Sequence, residues 1–215
     1  MLKHSAFVHL LQIHGEMEIT KARFAGSAAS VAGKPGTKLP EFAFIGRSNV
    51  GKSSLVNMLC NNRDLAKTSS KPGKTVLINH FLINEEWYIV DLPGYGYANR
   101  SKTEREQISK IIENYLDNSR ELEMLFVLLD SRLPLQKIDL EFINSLGEKG
   151  IPFTIIFTKG DKLGPNALNS MVERNKKSLL EYWEELPPVF VASSRTKMGR
   201  KEIIDYIYKV LQLIQ

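Results

Sequence analysis

Residues 41–54, EFAFIGRSNVGKSS, constrain this chain more than any other stretch. The stretch begins with apolar residues typical of a short strand. It continues as G-x-x-x-x-G-K-S from Gly46 to Ser53, and an apolar pattern with helical spacing follows. Two glycines allow a loop to turn its backbone N–H groups inward, and the positive end of the following helix adds to their field. The motif in this setting predicts a loop that cradles phosphate groups; a glycine-containing turn with no ligand is the alternative.

The individual residues of the loop have distinct expected roles. Lys52 places an ammonium group on the β- and γ-phosphates of a nucleoside triphosphate, and Ser53 offers a hydroxyl to Mg²⁺. The motif alone does not indicate which base is bound or how the free energy of triphosphate hydrolysis is used. The residues assigned to phosphate binding are Gly46, Arg47, Ser48, Asn49, Val50, Gly51, Lys52 and Ser53.

Composition narrows the class of protein. The chain has 215 residues, enough for one α/β domain, and no apolar run approaches the length of a membrane span. Its single cysteine, Cys60, excludes an internal disulfide and fits a reducing cytoplasm, with a small buried apolar role expected. We therefore expect a cytoplasmic protein without stable membrane insertion.

The net charge of +5 is unevenly distributed. Residues 106–148 carry nine acidic and four basic side chains, so the basic excess lies elsewhere. A basic face favours a polyanionic partner such as nucleic acid, while solvated surface lysine remains the alternative. The basic clusters are Lys67, Lys71 and Lys74; Arg100, Lys102 and Arg105; and Arg195, Lys197, Arg200 and Lys201.

Strand and helix patterns alternate along the rest of the chain. Near-continuous apolar runs such as Met124–Leu129 and Phe153–Phe157 are typical of buried parallel strands, and amphipathic helical patterns separate them. We predict a single α/β domain with a mostly parallel six-stranded sheet, one antiparallel edge strand and helices on both faces. Residues 1–16 are expected to be a disordered extension, with Met17 as the natural start and the domain spanning 17–215.

The stretch Thr158-Lys159-Gly160-Asp161, after a predicted strand, indicates the base. An Asp carboxylate accepts hydrogen bonds from N1–H and the 2-amino group of guanine, whereas adenine has neither donor. The Lys159 stem can lie along the base. A helix N-cap is the alternative for such a sequence. Ser193-Ser194, after the last predicted strand, fits a loop that approaches the guanine carbonyl.

Asp91 and Gly94 are candidates for the γ-phosphate end. Asp91 can hold a Mg²⁺-bound water, and the Gly94 N–H can bond a γ-phosphate oxygen while allowing the next segment to move. In the long loop before the next strand, Thr75 is the candidate for a second Mg²⁺ hydroxyl, with Thr68 as its rival. The predicted metal ligands are Ser53, Thr75 and Asp91.

Tyr95 follows Gly94 at the position where signalling GTPases have a water-orienting Gln. A Tyr side chain lacks the amide that orients water, so another group must assist or turnover stays slow. Asn49 is a candidate, because its side-chain carbonyl can bind K⁺ beside the β- and γ-phosphates. The alternative for Asn49 is a hydrogen bond that stabilises the loop. The predicted catalytic residues are Lys52, Thr75, Gly94 and Asn49.

Four motifs in this order resemble the bacterial EngB group of TrmE-Era-type GTPases: GRSNVGKSS, the loop PGKT, DLPGYGYA at 91–98, and TKGD. The resemblance covers roughly residues 17–213 and includes the N-terminal ITKARFAGSA. It implies a Ras-like domain, GTP and Mg²⁺ binding, a role in assembly of the large ribosomal subunit, and a link to normal septation. A monomer is expected.

The resemblance also extends the set of nucleotide-binding residues. Lys74 stands where the family often has Arg, which keeps the charge but loses bidentate contact, and Gly160 stands where Ala is usual. The implied residues beyond the phosphate loop are Gly73, Lys74, Thr75, Val76, Leu77, Asp91, Leu92, Pro93, Gly94, Thr158, Lys159, Gly160, Asp161, Ala192, Ser193 and Ser194.

These features support three hypotheses about function. The leading one is a slow GTPase whose GTP-bound shape docks on ribosomal RNA or protein. A second is a binding module that senses GTP and GDP without useful hydrolysis, which Tyr95 favours and Asn49 and Asp91 oppose. A third is a division factor on anionic membranes, for which the chain offers basic clusters but no amphipathic basic helix or lipid motif.

Overall fold

The computed structural model describes residues 18–66, 77–96 and 101–214. The predicted extension 1–16 lies outside these ranges. The strands are β1 Ala22–Ala28, β2 Glu41–Gly46, β3 Ile78–Ile83, β4 Trp87–Asp91, β5 Leu122–Asp130, β6 Phe153–Thr158 and β7 Val189–Val191. The helices are α1 Lys52–Leu59, α2 Lys102–Asn118, α3 Lys137–Glu148, α4 Pro165–Leu180 and α5 Arg200–Leu213, with 3₁₀ turns at Val31–Gly33 and Gly160–Lys162.

The strands form one mixed sheet in the order β1-β3-β4-β2-β5-β6-β7. The predicted α/β class is confirmed, but the sheet has seven strands rather than six. The antiparallel strand β3 is not at the edge, because β1 pairs along its outer side from Ala22 to Ala28. This pairing satisfies backbone groups that an edge strand would leave open to another chain.

The central strand β2 is buried along its whole length, so its side chains pack on both faces of the sheet. Phe42 and Phe44 belong to the core beneath α1 and α5, while Ala43 and Ile45 belong to the core beneath α2, α3 and α4. The period-2 alternation of a strand therefore distributes consecutive apolar residues between two helical layers. Among the described residues, no helix is both long and apolar enough to cross a membrane.

The parallel strands β2, β4, β5, β6 and β7 place their carboxyl ends at the same edge of the sheet. In a doubly wound sheet this edge is where ligands bind. The segments at these strand ends are the phosphate loop, Asp91, Asp130, Thr158 and the loop after β7. Segments far apart in the sequence thus meet at one site.

The opposite end of β2 is anchored by a buried carboxylate. Glu41 is 1% exposed and accepts hydrogen bonds from Lys34 Nζ at 2.9 Å, Tyr115 Oη at 2.7 Å and Ser119 Oγ at 2.7 Å. Because a buried charge is costly unless it is paired, these donors compensate its desolvation. The cluster fixes α2 against the start of β2, far from the carboxyl edge.

Tyr115→Phe removes one donor from this cluster and leaves the ring in place. We expect the free energy of unfolding to fall by about 1.5–3 kcal/mol, because Tyr115 is fully buried and its hydroxyl bonds a charged acceptor. Urea denaturation of the wild type and the variant measures this difference. An unchanged denaturation midpoint would show that the bond contributes nothing net.

Candidate functional site

The loop between β2 and α1 requires glycine at defined positions. A Cβ on Gly46 would lie 2.7 Å from the carbonyl oxygen of Leu128, which is a backbone atom that cannot move aside. Gly51 has φ +103°, in the region that L side chains rarely adopt. A Cβ on Gly94 would lie 3.0 Å from the Gly46 carbonyl oxygen, so the turn after β4 packs directly on the phosphate loop. The loop is therefore a tight backbone cradle.

Lys52 and Asp91 meet at the centre of this edge. The Lys52 ammonium forms an ion pair with Asp91 Oδ1, and both side chains are largely buried. Ser53 is the second residue of α1, so its hydroxyl belongs to the first turn of that helix. The ion pair thus places positive charge beside a carboxylate at the start of α1, the helix that also carries Ser53, and this arrangement fits a Mg²⁺–triphosphate group.

The loop before β3 is only partly described. Leu77 lies directly before β3. The remaining candidates of this loop, Gly73, Lys74, Thr75 and Val76, lie outside the described residues, as does the rival Thr68.

The segment after β6 is bonded to the phosphate loop. Thr158 Oγ1 donates to the Val50 carbonyl oxygen at 2.7 Å. Lys159 Nζ donates to the Asn49 carbonyl oxygen at 2.6 Å, and Lys159 itself has a left-handed backbone with φ 62°. These bonds set the spacing between the phosphate loop, which is the predicted phosphate end of the candidate site, and the Thr158–Asp161 segment, which is its predicted base end.

Asp161 has one carboxylate oxygen that is hydrogen-bonded and one that is not, although the second lies 3.7 Å from Lys162 Nζ and 3.8 Å from Arg195 Nε. Oδ1 accepts from Ser193 Oγ at 2.7 Å, and this bond lowers the pKa of Asp161. Oδ2 is buried and has no hydrogen-bond partner among the described residues. An orphaned acceptor of this kind fits the N1–H and 2-amino donors of guanine. Asp161 is not a helix N-cap, since it lies inside the 3₁₀ turn Gly160–Lys162 and Gly164 caps α4.

The loop after β7 closes the base end. The Gly160 N–H donates to the Ala192 carbonyl oxygen at 3.0 Å, which joins this loop to the Thr158–Asp161 segment. Ser193 is fully buried, whereas Ser194 is exposed and lines a cavity of about 490 Å³ between α1 and this loop. The structure therefore brings Ala192 and Ser193 to the Thr158–Asp161 segment, whereas Ser194 lies on the exposed side of the loop.

Asp130 is a site residue that the sequence reasoning missed. Its Oδ2 accepts from Lys159 Nζ at 2.9 Å and from Arg132 Nη2 at 2.8 Å. Burial opposes ionisation, but these hydrogen bonds prevail and lower the pKa of Asp130 to about 2. The carboxylate therefore holds the Lys159 ammonium in position. The available signal was a charged residue directly after the apolar run Met124–Leu129.

The Tyr95 side chain is held by contacts with α3, whereas the Asn49 side chain is exposed. The Tyr95 hydroxyl donates to Asp139 Oδ1 at 3.0 Å, and its ring stacks on Phe142. The exposed Asn49 has φ 63°, and its side-chain amide forms no hydrogen bond within the described ranges. The loop-stabilising bond considered for the Asn49 side chain is thus not formed there.

Comparison with known proteins agrees with this geometry. The family model described as "50S ribosome-binding GTPase" matches residues 41–159. The probable GTP-binding protein EngB of Phocaeicola vulgatus is 60% identical over 89% of this chain and 96% of that protein.

Solved structures share the fold. A crystal structure of a probable GTP-binding protein EngB matches with a TM-score of 0.64 and 22% identity, over 80% of this chain and 98% of that one. Era in complex with MgGDPNP and nucleotides 1506–1542 of 16S ribosomal RNA matches with a TM-score of 0.63 and 22% identity, over 81% of this chain and 57% of that one. With its phosphate loop, its Thr158–Asp161 segment and this sequence identity, the chain belongs to the EngB family of GTP-binding P-loop proteins.

Proposed function

We propose that this protein binds GTP and GDP with Mg²⁺, hydrolyses GTP slowly, and acts as a switch in assembly of the large ribosomal subunit. The observation that carries the proposal is the open Oδ2 of Asp161, held at a set distance from the phosphate loop by the Thr158 and Lys159 bonds. A molecule with guanine donors at one end and phosphates at the other satisfies both ends at once. Family membership supports the same ligand.

Mg²⁺ would be held by the Ser53 hydroxyl, by Asp91 through a water, and by Thr75. When bound, it supplies positive charge at the β- and γ-phosphate oxygens. Lys52 shares that task once its ammonium contacts phosphate as well as Asp91. Without an activating partner, turnover on the order of 10⁻⁴ to 10⁻² per second is expected, as for unassisted GTPases.

The ribosomal role rests on the family description, "50S ribosome-binding GTPase", and on the basic surface. Lys102 and Arg105 at the start of α2 are exposed, as is Arg195 beside the base end. We further propose that the protein works in the cytoplasm, as a monomer, and that its loss disturbs septation through defective ribosomes.

A second candidate is a binding module that senses GTP and GDP without useful hydrolysis. The bond from the Tyr95 hydroxyl to Asp139 favours it, because the side chain next to Gly94 is then committed to α3 rather than to an attacking water. Single-turnover hydrolysis in the presence of large ribosomal subunits separates the two candidates. No acceleration over many hours would favour the sensing module.

Asp161→Asn tests the base end. The Asn amide donates where the carboxylate accepted, so we expect GTP affinity to fall by at least about 100-fold and xanthosine triphosphate affinity to rise. Competition with a fluorescent nucleotide measures both. An equal loss of affinity for both nucleotides would indicate damage to the fold. Unchanged GTP affinity would show that Asp161 does not recognise the base.

Asn49→Ala tests the proposed K⁺ site. In the wild type we expect faster hydrolysis in K⁺ than in Na⁺ at equal ionic strength, because a cation held by the Asn49 carbonyl stabilises charge developing between the β- and γ-phosphates. The variant should hydrolyse at the wild-type Na⁺ rate in both salts. Phosphate release with and without large subunits is the measurement. Identical wild-type rates in the two salts would contradict this role.

Sedimentation of lysate tests the ribosomal partner. With a non-hydrolysable GTP analogue we expect the protein to travel with the large subunit, and with GDP to leave it. Replacing Lys102 and Arg105 by Glu reverses their charge, which should weaken the association and reduce its dependence on salt concentration. The matched control reverses Lys110 and Lys137, which are exposed within the acidic segment 106–148. Equal loss in both variants, or no co-sedimentation in either nucleotide, would contradict the proposal.

A further inference from the structure

Side chains from three elements meet behind the phosphate loop. Asp139, in the first turn of α3, is 2% exposed. Its Oδ1 accepts from Tyr95 Oη at 3.0 Å and lies 3.2 Å from Arg47 Nε. We call Arg47, Tyr95 and Asp139 the clamp. Burial raises the pKa of Asp139, while the Arg47 guanidinium and the Tyr95 hydroxyl act in the opposite direction by stabilising the carboxylate.

The backbone of Tyr95 is bonded to the phosphate loop as well. Its N–H donates to the Gly46 carbonyl oxygen at 3.2 Å, and its carbonyl oxygen accepts from the Ser48 N–H at 3.3 Å. Its ring stacks on Phe142 of α3 with centroids 4.7 Å apart. Tyr95 is therefore held by the loop through its backbone and by α3 through its side chain.

This anchoring fixes the turn that precedes Tyr95. Gly94 packs so closely on the Gly46 carbonyl that its position depends on the loop and Tyr95 staying together. Beyond Tyr95, Gly96 has φ 70°, and its Cα faces the Arg47 stem and Ile138.

We propose that Asp139 is a positioning residue that sets the preference for GTP over GDP. The inference rests on the proposed function, in which the Gly94 N–H bonds the γ-phosphate. A donor that is already held in position loses no further conformational entropy when the ligand binds. GDP does not reach this donor. The clamp therefore contributes to affinity for the triphosphate and not to affinity for the diphosphate.

Two single substitutions each weaken the clamp by changing one functional group. Tyr95→Phe removes the hydroxyl and keeps the stacked ring, and Asp139→Asn keeps the shape and removes the charge. We expect each to weaken binding of a non-hydrolysable GTP analogue by about 10-fold while GDP affinity stays within about 2-fold. The double variant should lose less affinity than the product of the two single losses, because both changes act on the same Tyr95–Asp139 bond. Calorimetry with both nucleotides measures the ratio.

Tyr115→Phe is the matched control. It deletes the same kind of buried hydroxyl–carboxylate bond, to Glu41 at the opposite end of β2. It should lower stability and leave the ratio of the two affinities unchanged. If Asp139→Asn does not fold, Tyr95→Phe alone provides the test, because it leaves every residue assigned to phosphate binding unchanged.

A parallel loss of GDP and analogue binding in the clamp variants would mean a merely structural role and would overturn the inference, as would an unchanged ratio. A wild type that takes up neither nucleotide is a different failure, since it removes the proposed function and the inference together. A changed ratio in Tyr115→Phe would show that general destabilisation is enough, which also overturns it.

Discussion

The hydrogen bonds from Thr158 and Lys159 to the carbonyls of Val50 and Asn49 are the constraint on which the site depends. They join the end of β6 to the loop after β2 without involving a ligand. Because β5 lies between these two strands, the bonds span the carboxyl edge of the sheet. The distance between the base end and the phosphate end is consequently a property of the fold.

Buried charge secures this arrangement at several points. Asp130 holds the Lys159 ammonium, Asp139 holds Arg47 and Tyr95, and Glu41 fixes the far end of β2. In each case a carboxylate of low exposure is compensated by donors from other elements. Asp161 differs from them, because one of its oxygens is buried without a hydrogen-bond partner among the described residues. The proposed guanine site rests on this oxygen.

Local motifs allowed much of this to be predicted from the sequence. The residues from Gly46 to Ser53 and from Thr158 to Asp161 are contiguous, and their backbone geometry follows from glycine placement and strand ends. The α/β class followed from apolar runs that alternate with amphipathic helices. The site roles assigned to these residues remain predictions, and Thr75 lies outside the described residues.

What escaped prediction depends on packing between distant segments. The pairing of Arg47 with Asp139 requires knowing where α3 lies against the phosphate loop, and no local pattern contains that information. The role of Asp130 likewise follows from the neighbouring strand β6. The seventh strand has a similar origin: the sequence shows a strand pattern around Ala22 and Phe24, but its pairing along β3 is a contact between distant segments.

The central claim is that a single molecule is gripped by Lys52 at one end and Asp161 at the other. Calorimetric titration of the wild-type protein with GTP and then with ATP, both with Mg²⁺, tests it most directly. The account predicts saturable uptake of GTP at one site and uptake of ATP at least about 100-fold weaker, since adenine leaves the Asp161 carboxylate unpaired. ATP bound as tightly as GTP, or neither nucleotide bound, would contradict it.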